Sequence, residues 1–380
     1  MTEDAKLTRR AFLGVSAATA ATVLAGCGGS EAEAPAEETA EEEAPEEEAA
    51  EETAEAEAPT ELKKIRLAYG GAGHITTEVA IDQGYMAEEG IEIEYTQFEN
   101  NVDCFAGLFS DKVDVLASQG TNMPLQQIGS GNDLVIFGRY MMTGCMPIVA
   151  KTGTVWNGPE DLIGKRLASS GNEYAVMGPL LDMGYDPLNE IELKVLNNHA
   201  DRLEAVRADE ADYAIVGTSQ NYNVSQMDDI EVMAYESDVT PNYSCCVADC
   251  NRQFLENNRD TLKGLLRAWL RALSFYNRNK EYCIELNAKN VNSPKEYIEV
   301  FANNEHYRMN IDPAKSVIDR AWNWMGNLGF LDEGWENIDL DSHIDTTLYE
   351  EALAEATEKY GDEDPEFYAN AAEFFAEFNA

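Results

Sequence analysis

Strand-like and helix-like segments alternate along the middle of the chain, and this alternation restarts once. Apolar residues alternate over 63–69 and 91–98, and a helical stretch over 75–88 lies between them. The same order of strand, turn and helix begins again near residue 155 and continues to residue 216. Because strands that alternate with helices form a mostly parallel sheet, the pattern predicts two consecutive α/β units.

Further strands are predicted over 230–235 and 243–248, and the chain after Asn251 is predicted to be mostly helical. Apolar residues recur with the helical period through LKGLLRAWLRAL, which predicts a helix with one buried face. That face consists of Leu262, Leu265, Leu266, Trp269 and Leu273. Later helices are predicted near 294–302, 313–327, 348–358 and 366–378.

Four loops rich in small and polar residues are predicted at strand ends: 69–74, 118–121, 169–174 and 217–220. In parallel sheets, ligands bind outside the carboxyl ends of the strands, where backbone N–H groups and helix N-termini are accessible. Ordinary turns also prefer Gly and Ser, so a single loop of this kind fits either interpretation. The residues predicted to contact a ligand are Tyr69, Gly70, His74, Ser118, Gln119, Thr121, Tyr140, Ser170, Asn172, Glu173, Tyr174, Thr218, Ser219, Tyr222 and Tyr243.

Several of these side chains have a structural alternative to ligand contact. His74 either faces a ligand or caps a helix, and Glu173 either favours an amine or amidine ligand or complements a helix dipole. Arg139 either pairs with an anionic ligand or forms a surface salt bridge. Four tyrosines either stack on a flat heterocycle or line the edge of the core: Tyr140, Tyr174, Tyr222 and Tyr243.

The first 27 residues resemble an export signal. TRRAFLG at 8–14 resembles a twin-arginine signal, and an apolar run over 15–25 leads into LAGC, which resembles a lipobox ending at Cys27. The run is too short to span a bilayer. We therefore expect cleavage before Cys27 and acylation of its thiol; an ordinary secretory signal with a chance cysteine is the alternative.

Residues 28–60 are predicted to form a disordered acidic tether. Fourteen glutamates lie between Glu31 and Glu57, and the segment contains no basic residue. Such a segment cannot bury enough apolar surface to fold, and as a random coil it would reach roughly 30 Å. It fits a spacer between a membrane and the body of about 320 residues that follows.

Charge and cysteine usage exclude several classes of function. The net charge of -44 and the absence of a basic stripe exclude nucleic acid as a partner. Six cysteines are present besides Cys27: Cys104, Cys145, Cys245, Cys246, Cys250 and Cys283. Cys245, Cys246 and Cys250 have no CxxC partner and no nearby histidine, so we expect them to be mostly free or disulfide-bonded and not to bind a metal. Because no nucleophile elbow, paired-carboxylate motif or HExxH is present, no catalytic residue and no cofactor are predicted.

Four segments together resemble one family. They are GYMAEEGIEIEY (84–95), FSDKVDVLASQGTNMPL (109–125), EDLIGKRLASSGNE (160–173) and CNRQFLENNRDTLKGLLRAWLRAL (250–273). Their order and spacing resemble the solute-binding proteins of ABC importers for nitrate, sulfonates, taurine and thiamine pyrimidine precursors. The resemblance covers roughly 62–290 and extends loosely over the last ninety residues.

This resemblance implies a type II periplasmic-binding-protein fold: two α/β lobes joined by a two-strand hinge, with C-terminal helices. Lobe I would comprise 61–143 and 248–380, and lobe II 144–247. The implied function is capture of a small molecule between the lobes and its delivery to an ABC permease with its ATPase. The protein would be a monomer on the extracytoplasmic face of the cell membrane, with Cys27 as its lipid anchor.

Two other functions stay open at this stage. A related branch resembles a thiamine-pyrimidine synthase, which uses Lys-bound pyridoxal phosphate, a sacrificial His, iron and clustered cysteines. Here the dense cysteine run is missing and the first-lobe loops lack an obvious Lys. A surface interaction protein would also suit the tether. Because the loops contain few cationic side chains, they favour a heterocycle, such as a thiamine pyrimidine precursor, over a sulfonate or nitrate.

Overall fold

Two β-sheets organise the part of the chain that the computed structural model describes, which is residues 62–69, 73–96 and 101–379. These residues belong to one compact unit spanning 56–380. The export signal, Cys27, the whole tether and Gly70 lie outside the described residues. The strands are β1 Lys63–Ala68, β2 Ile91–Thr96, β3 Val115–Gly120, β4 Leu134–Gly144, β5 Pro147–Lys151, β6 Arg166–Ser169, β7 Glu192–Val195, β8 Tyr213–Ile215, β9 Ile230–Tyr235, β10 Cys246–Asn251 and β11 Tyr307–Met309.

Helices connect and cover the strands. They are α1 Ile75–Asp82, α2 Tyr85–Glu88, α3 Asn101–Phe109, α4 Asn122–Gly129, α5 Tyr174–Asp182, α6 Pro187–Glu190, α7 His199–Arg207, α8 Asn221–Ser225, α9 Glu236–Val239, α10 Arg252–Arg278, α11 Lys280–Asn290, α12 Lys295–Ala302, α13 Lys315–Asn327, α14 Thr346–Tyr360 and α15 Pro365–Phe378. Short 3-10 turns lie at Pro159–Leu162, Thr218–Gln220, Trp335–Asn337, Leu340–His343 and Gly361–Glu363.

The first sheet has the strand order β11-β4-β10-β3-β1-β2, and the second has the order β7-β6-β8-β5-β9. Strand β1 pairs in parallel with β2 and β3, and β6 pairs in parallel with β7 and β8. Two later strands return to the first sheet. Strand β10 lies antiparallel between β3 and β4, and β11 pairs antiparallel with the other side of β4. The chain therefore leaves the first sheet after β4, builds the second, and comes back at β10. The predicted α/β architecture is confirmed.

The predicted apolar stripe on α10 forms a central part of the core. Leu262, Leu265, Leu266 and Trp269 have no exposed surface, and the Trp269 indole N–H donates to Thr77 Oγ1 over 2.7 Å. The helix is bent at Asn258, whose φ and ψ are not helical. Because α10 contacts both α1 and α14, it joins the first sheet's helix layer to the C-terminal helices.

Several predicted boundaries were wrong for identifiable reasons. The predicted helix 75–88 breaks into α1 and α2 because Gly84 takes a left-handed conformation with φ of 78°. The polar segment 118–121 is not all loop, since pairing with β10 extends β3 through Gly120. The strand predicted over 243–248 begins only at Cys246, and the three-residue strand β11 was missed. Both errors concern antiparallel pairings between residues distant in sequence.

The lobe boundaries predicted from the sequence stay predictions. Among the described helices, none combines the length and the apolar character needed to cross a membrane.

Candidate functional site

An aromatic cluster surrounds His74, the residue that precedes α1. Its ring stacks on Tyr140 with 4.0 Å between centroids, and the Tyr140 hydroxyl accepts a hydrogen bond from the Ile75 N–H over 3.1 Å. Tyr69 is half-buried, and its ring lies 6.3 Å from that of His74. Three residues predicted to contact a ligand are thus brought together.

Both ring nitrogens of His74 bind the chain itself. Nε2–H donates to the Ala117 carbonyl over 3.1 Å, and Nδ1 accepts from the Thr77 N–H over 3.3 Å at the start of α1. The side chain has no exposed surface, and burial lowers the pKa of the imidazole to about 3. His74 therefore serves as a neutral helix cap in this conformation, as the structural alternative anticipated.

Ser244, in the segment that returns to the first sheet, gathers contacts from both sheets. Its hydroxyl shares a hydrogen bond of 2.7 Å with Thr121, which follows β3 and precedes α4. Its carbonyl accepts a hydrogen bond from the hydroxyl of Tyr174, the first residue of α5. Thr121 and Ser244 are each 1% exposed and Tyr174 is 6% exposed. The helix starts after β3 and β6 therefore meet at one residue.

Gly144, the last residue of β4, is the corresponding contact on the segment by which the chain leaves the first sheet. Its N–H donates to the Tyr243 hydroxyl over 3.1 Å, and its carbonyl accepts from the hydroxyl of Thr218. Tyr243 is 3% exposed, and burial raises the pKa of its phenol well above the usual value. The two predicted contact residues come from the second sheet's β8 loop and from the returning segment.

The loop after β6 contains a buried acidic side chain, that of Glu173. Ser170 donates to Glu173 Oε1 from its N–H over 2.9 Å and from its hydroxyl over 2.6 Å. Arg202 lies 3.9 Å from the same oxygen, but its Nε and Nη1 donate to the carbonyls of Leu196 and Ile215 over 2.7 and 3.0 Å. The Arg202 guanidinium is therefore already engaged by backbone carbonyls.

Glu236 adds a second carboxyl that sequence reasoning missed. It is 2% exposed at the start of α9, and its Oε1 has no hydrogen-bond partner among the described residues. Burial and the neighbouring Glu173 raise its pKa well above the usual value. The neutral form of the carboxyl is therefore favoured relative to that of an exposed glutamate.

The remaining predicted contact residues are spread around these clusters. Ser118 and Gln119 lie within β3, and Gln119 is 3% exposed. The Asn172 side-chain amide lies 2.7 Å from the Ser170 hydroxyl. Ser219 and Tyr222 lie further out, near α12, where the Tyr222 ring meets the edge of Tyr297 at 6.0 Å.

Of the two roles considered for Arg139 from the sequence, the structure contradicts the surface salt bridge. It is fully buried in β4, and its Nε donates to the Asp312 carbonyl over 2.9 Å while another nitrogen donates to Pro313. Burial lowers the pKa of its guanidinium to about 10. The surface salt bridge is wrong, and the residue faces the linker before α13.

Two cavities lie away from the predicted contact residues. One of about 410 Å³ lies between α10 and α15, and one of about 340 Å³ lies among α8, β9 and α12. Neither is lined by a residue predicted to contact ligand. In this conformation three of the predicted contact residues are themselves buried, since Tyr140, Tyr174 and Tyr243 are 3%, 6% and 3% exposed.

The sequence did not reveal the residues to which the predicted contact residues are hydrogen-bonded. Gly144 and Ser244 carry no motif, and each acquires its role only because distant strands meet there. Ser244 directly follows Tyr243, which was predicted to contact a ligand. That neighbouring residue was the feature of the sequence that could have indicated Ser244. Glu236 had no such signal.

With this geometry established, comparison with known proteins identifies the family. The family described as NMT1/THI5 like matches residues 72–281. The chain belongs to this family. No curated protein matches the NMT1/THI5-like chain in sequence.

Solved structures show which fold the NMT1/THI5-like chain has. The periplasmic nitrate-binding protein NrtA from Synechocystis PCC 6803 is 16% identical with a TM-score of 0.64, covering 84% of this chain and 99% of that one. The periplasmic aliphatic sulphonate binding protein SsuA from Escherichia coli is 18% identical with a TM-score of 0.63, covering 74% and 91%. The predicted periplasmic-binding-protein fold is confirmed.

The same fold also occurs in an enzyme. The desulfurization enzyme DSZB is 12% identical with a TM-score of 0.54, covering 77% of this chain and 99% of that chain. At such identities the likeness concerns the fold alone. Function must therefore be argued from the residues at the site.

Proposed function

We propose that this chain is an extracytoplasmic solute-binding protein that captures a small molecule between two lobes and delivers it to an ABC importer. The observation that carries the proposal is the meeting of Thr121, from the first sheet, and Tyr174, from the second, at Ser244. Strand ends of two α/β units thus converge on a segment that joins them. This is where ligands bind in doubly wound folds.

Ligand entry requires separation of the loops, because three of the tyrosines predicted to contact the ligand are buried. A ligand that contacts both sets of loops only when they are together shifts the equilibrium towards the closed form. Each side chain that reaches Gly144 or Ser244 does so through one hydrogen bond. Such contacts can re-form with little change in either sheet.

We further propose a neutral or cationic nitrogen heterocycle, such as a thiamine pyrimidine precursor, as the ligand. Glu173 and Glu236 lie beside the convergence region, and the nearby cation Arg202 is engaged by carbonyls. A nitrate or sulfonate group would approach these carboxyls, and the Arg202 guanidinium beside them is already bound by backbone carbonyls. The tyrosines offer faces on which a flat ring can stack.

A thermal-shift panel tests both proposals on the full chain. Aminopyrimidines and related heterocycles should raise the melting temperature by mass action, whereas aliphatic sulfonates and nitrate should leave it unchanged. Glu173→Gln keeps an oxygen that can accept from Ser170 but removes the charge, so affinity for a cationic heterocycle should fall about tenfold. The exposed Glu192→Gln in β7 is the matched control and should bind as the wild type does.

The outcomes separate the two proposals. A shift caused by sulfonates or nitrate would keep the solute-binding function and reject the proposed ligand class. No shift with any member of the panel would count against both.

A further inference from the structure

Cys245 and Cys246 are neighbours in sequence whose thiols touch. Their Sγ atoms are 3.4 Å apart. In a regular strand, successive side chains point to opposite faces, which would separate adjacent thiols. Here Cys245 lies just before β10, and the pairing of β10 with β4 shifts register between Cys246 and Val247. The irregular strand entry therefore places both sulfur atoms on one side.

The backbone around the pair is held by both neighbouring strands. The Cys245 N–H donates to Met142 over 3.1 Å, and its carbonyl accepts from the Thr121 N–H over 3.0 Å. A Cβ added at Gly144 would lie 2.5 Å from Cys245 Sγ, so glycine at 144 leaves the space that this thiol occupies. The 3.4 Å approach of the two sulfur atoms is thus built into the packing of the segment.

The two thiols differ in access. Cys245 is 8% exposed, whereas Cys246 is half-buried and reachable from solvent. The contact with Cys246, together with burial, raises the pKa of the Cys245 thiol well above the usual value. Cys246 is accordingly the thiol that reacts first with a reagent in solution, and Cys245 is close enough to attack the modified Cys246.

A metal ion is not the occupant that this geometry suggests. Within the described ranges, no three His, Cys, Asp or Glu side chains are grouped as metal ligands. The other described cysteines, Cys104, Cys145, Cys250 and Cys283, are buried free thiols. The Cys245–Cys246 pair differs from these cysteines because Cys246 is accessible to solvent and its sulfur atom contacts that of Cys245.

We propose that Cys245 and Cys246 form a reversible dithiol–disulfide site on the segment that joins the two sheets. The oxidant is a small-molecule or protein disulfide. The Cys246 thiolate attacks one of its sulfur atoms, forms a mixed disulfide and releases the first thiolate, which takes up the proton that Cys246 lost. Cys245 then gives up its proton and attacks Cys246 Sγ, and the second thiol leaves. Two cysteine thiols are oxidised to one disulfide, and one external disulfide is reduced to two thiols.

Glutathione disulfide provides the probe, applied to the full chain and followed by alkylation with N-ethylmaleimide. Trypsin releases a peptide covering 208–252, which contains Cys245, Cys246 and Cys250. In the wild type, tandem mass spectrometry should find this peptide lighter by two hydrogen atoms between Cys245 and Cys246, with the alkyl label only on Cys250. Dithiothreitol should restore three labelled cysteines.

Cys245→Ser removes the responding thiol, so the glutathione adduct on Cys246 should persist in that variant. Cys250→Ala should close the disulfide as the wild type does, and melting curves check that each variant is folded. A stable glutathione adduct in the wild type, or three alkylated cysteines after oxidation, would overturn the proposal. Neither result depends on any ligand, so the test is independent of the proposed function.

Discussion

At the scale of single residues, His74 links the candidate site to folding stability. The folded chain holds its ring neutral with a pKa of about 3, whereas the unfolded chain titrates near 6.5. Between these values the unfolded state binds more protons than the folded state. The stabilisation is therefore complete above pH 6.5 and is lost progressively as the pH falls towards 3.

His74→Asn tests this linkage. Asn can still cap α1 but does not titrate, so the variant should be less stable at pH 8, by about 1–3 kcal/mol, because a buried ring and its hydrogen bond to Ala117 are lost. Between pH 8 and pH 5 it should lose about 2 kcal/mol less than the wild type. Urea unfolding at both pH values measures the difference.

His343→Asn is the matched control. His343 is half-buried, and its ring binds the Leu134 carbonyl away from the candidate site. This control should keep the pH-dependent contribution of His74. Equal pH dependence in His74→Asn and the wild type would mean that His74 is not held neutral.

At the scale of elements, α5 and α13 form a direct contact between the second sheet's helix layer and the C-terminal helices. Trp324 of α13 covers Gly178 of α5, and its indole N–H donates to Asp182 over 2.9 Å. A Cβ at position 178 would lie 2.2 Å from the Trp324 ring. Since α5 also carries Tyr174, this contact positions one of the groups that reaches Ser244.

Gly178→Ala should force the two helices apart. Overpacking of this kind costs about 1–3 kcal/mol, which denaturant unfolding would detect, and ligand affinity should fall because Tyr174 moves with α5. Gly129→Ala at the end of α4 is the matched control, since its Cβ would lie 3.4 Å from Leu331. Wild-type stability and affinity in Gly178→Ala would show that the contact does not constrain α5.

The elements also show what the sequence could predict. The α10 stripe and strands β1 and β9 were predictable because they depend on local periodicity. Strand β11 and the start of β10 were not, because their pairing with β4 involves partners more than one hundred residues away. Within the candidate site, loops rich in small residues identified Thr121 and Tyr174, while Gly144, Ser244 and Glu236 depend on tertiary contacts that no local pattern records.

At the scale of the whole molecule, two sheets joined by the segments around Gly144 and Ser244 present polar loops to one another. This arrangement, the family and the fold together support a protein that closes over a solute. The predicted lipid anchor at Cys27 and the acidic tether would hold it at the membrane surface, next to a permease.

Native mass spectrometry of the full chain, purified without added ligand and then titrated with nitrogen heterocycles, tests the central claim most directly. The account predicts a 1:1 complex with one small neutral or cationic molecule, weakened by Gly178→Ala and unaffected by Gly129→Ala. Protein that carries no small molecule as isolated, and that forms no complex during the titration, would contradict it.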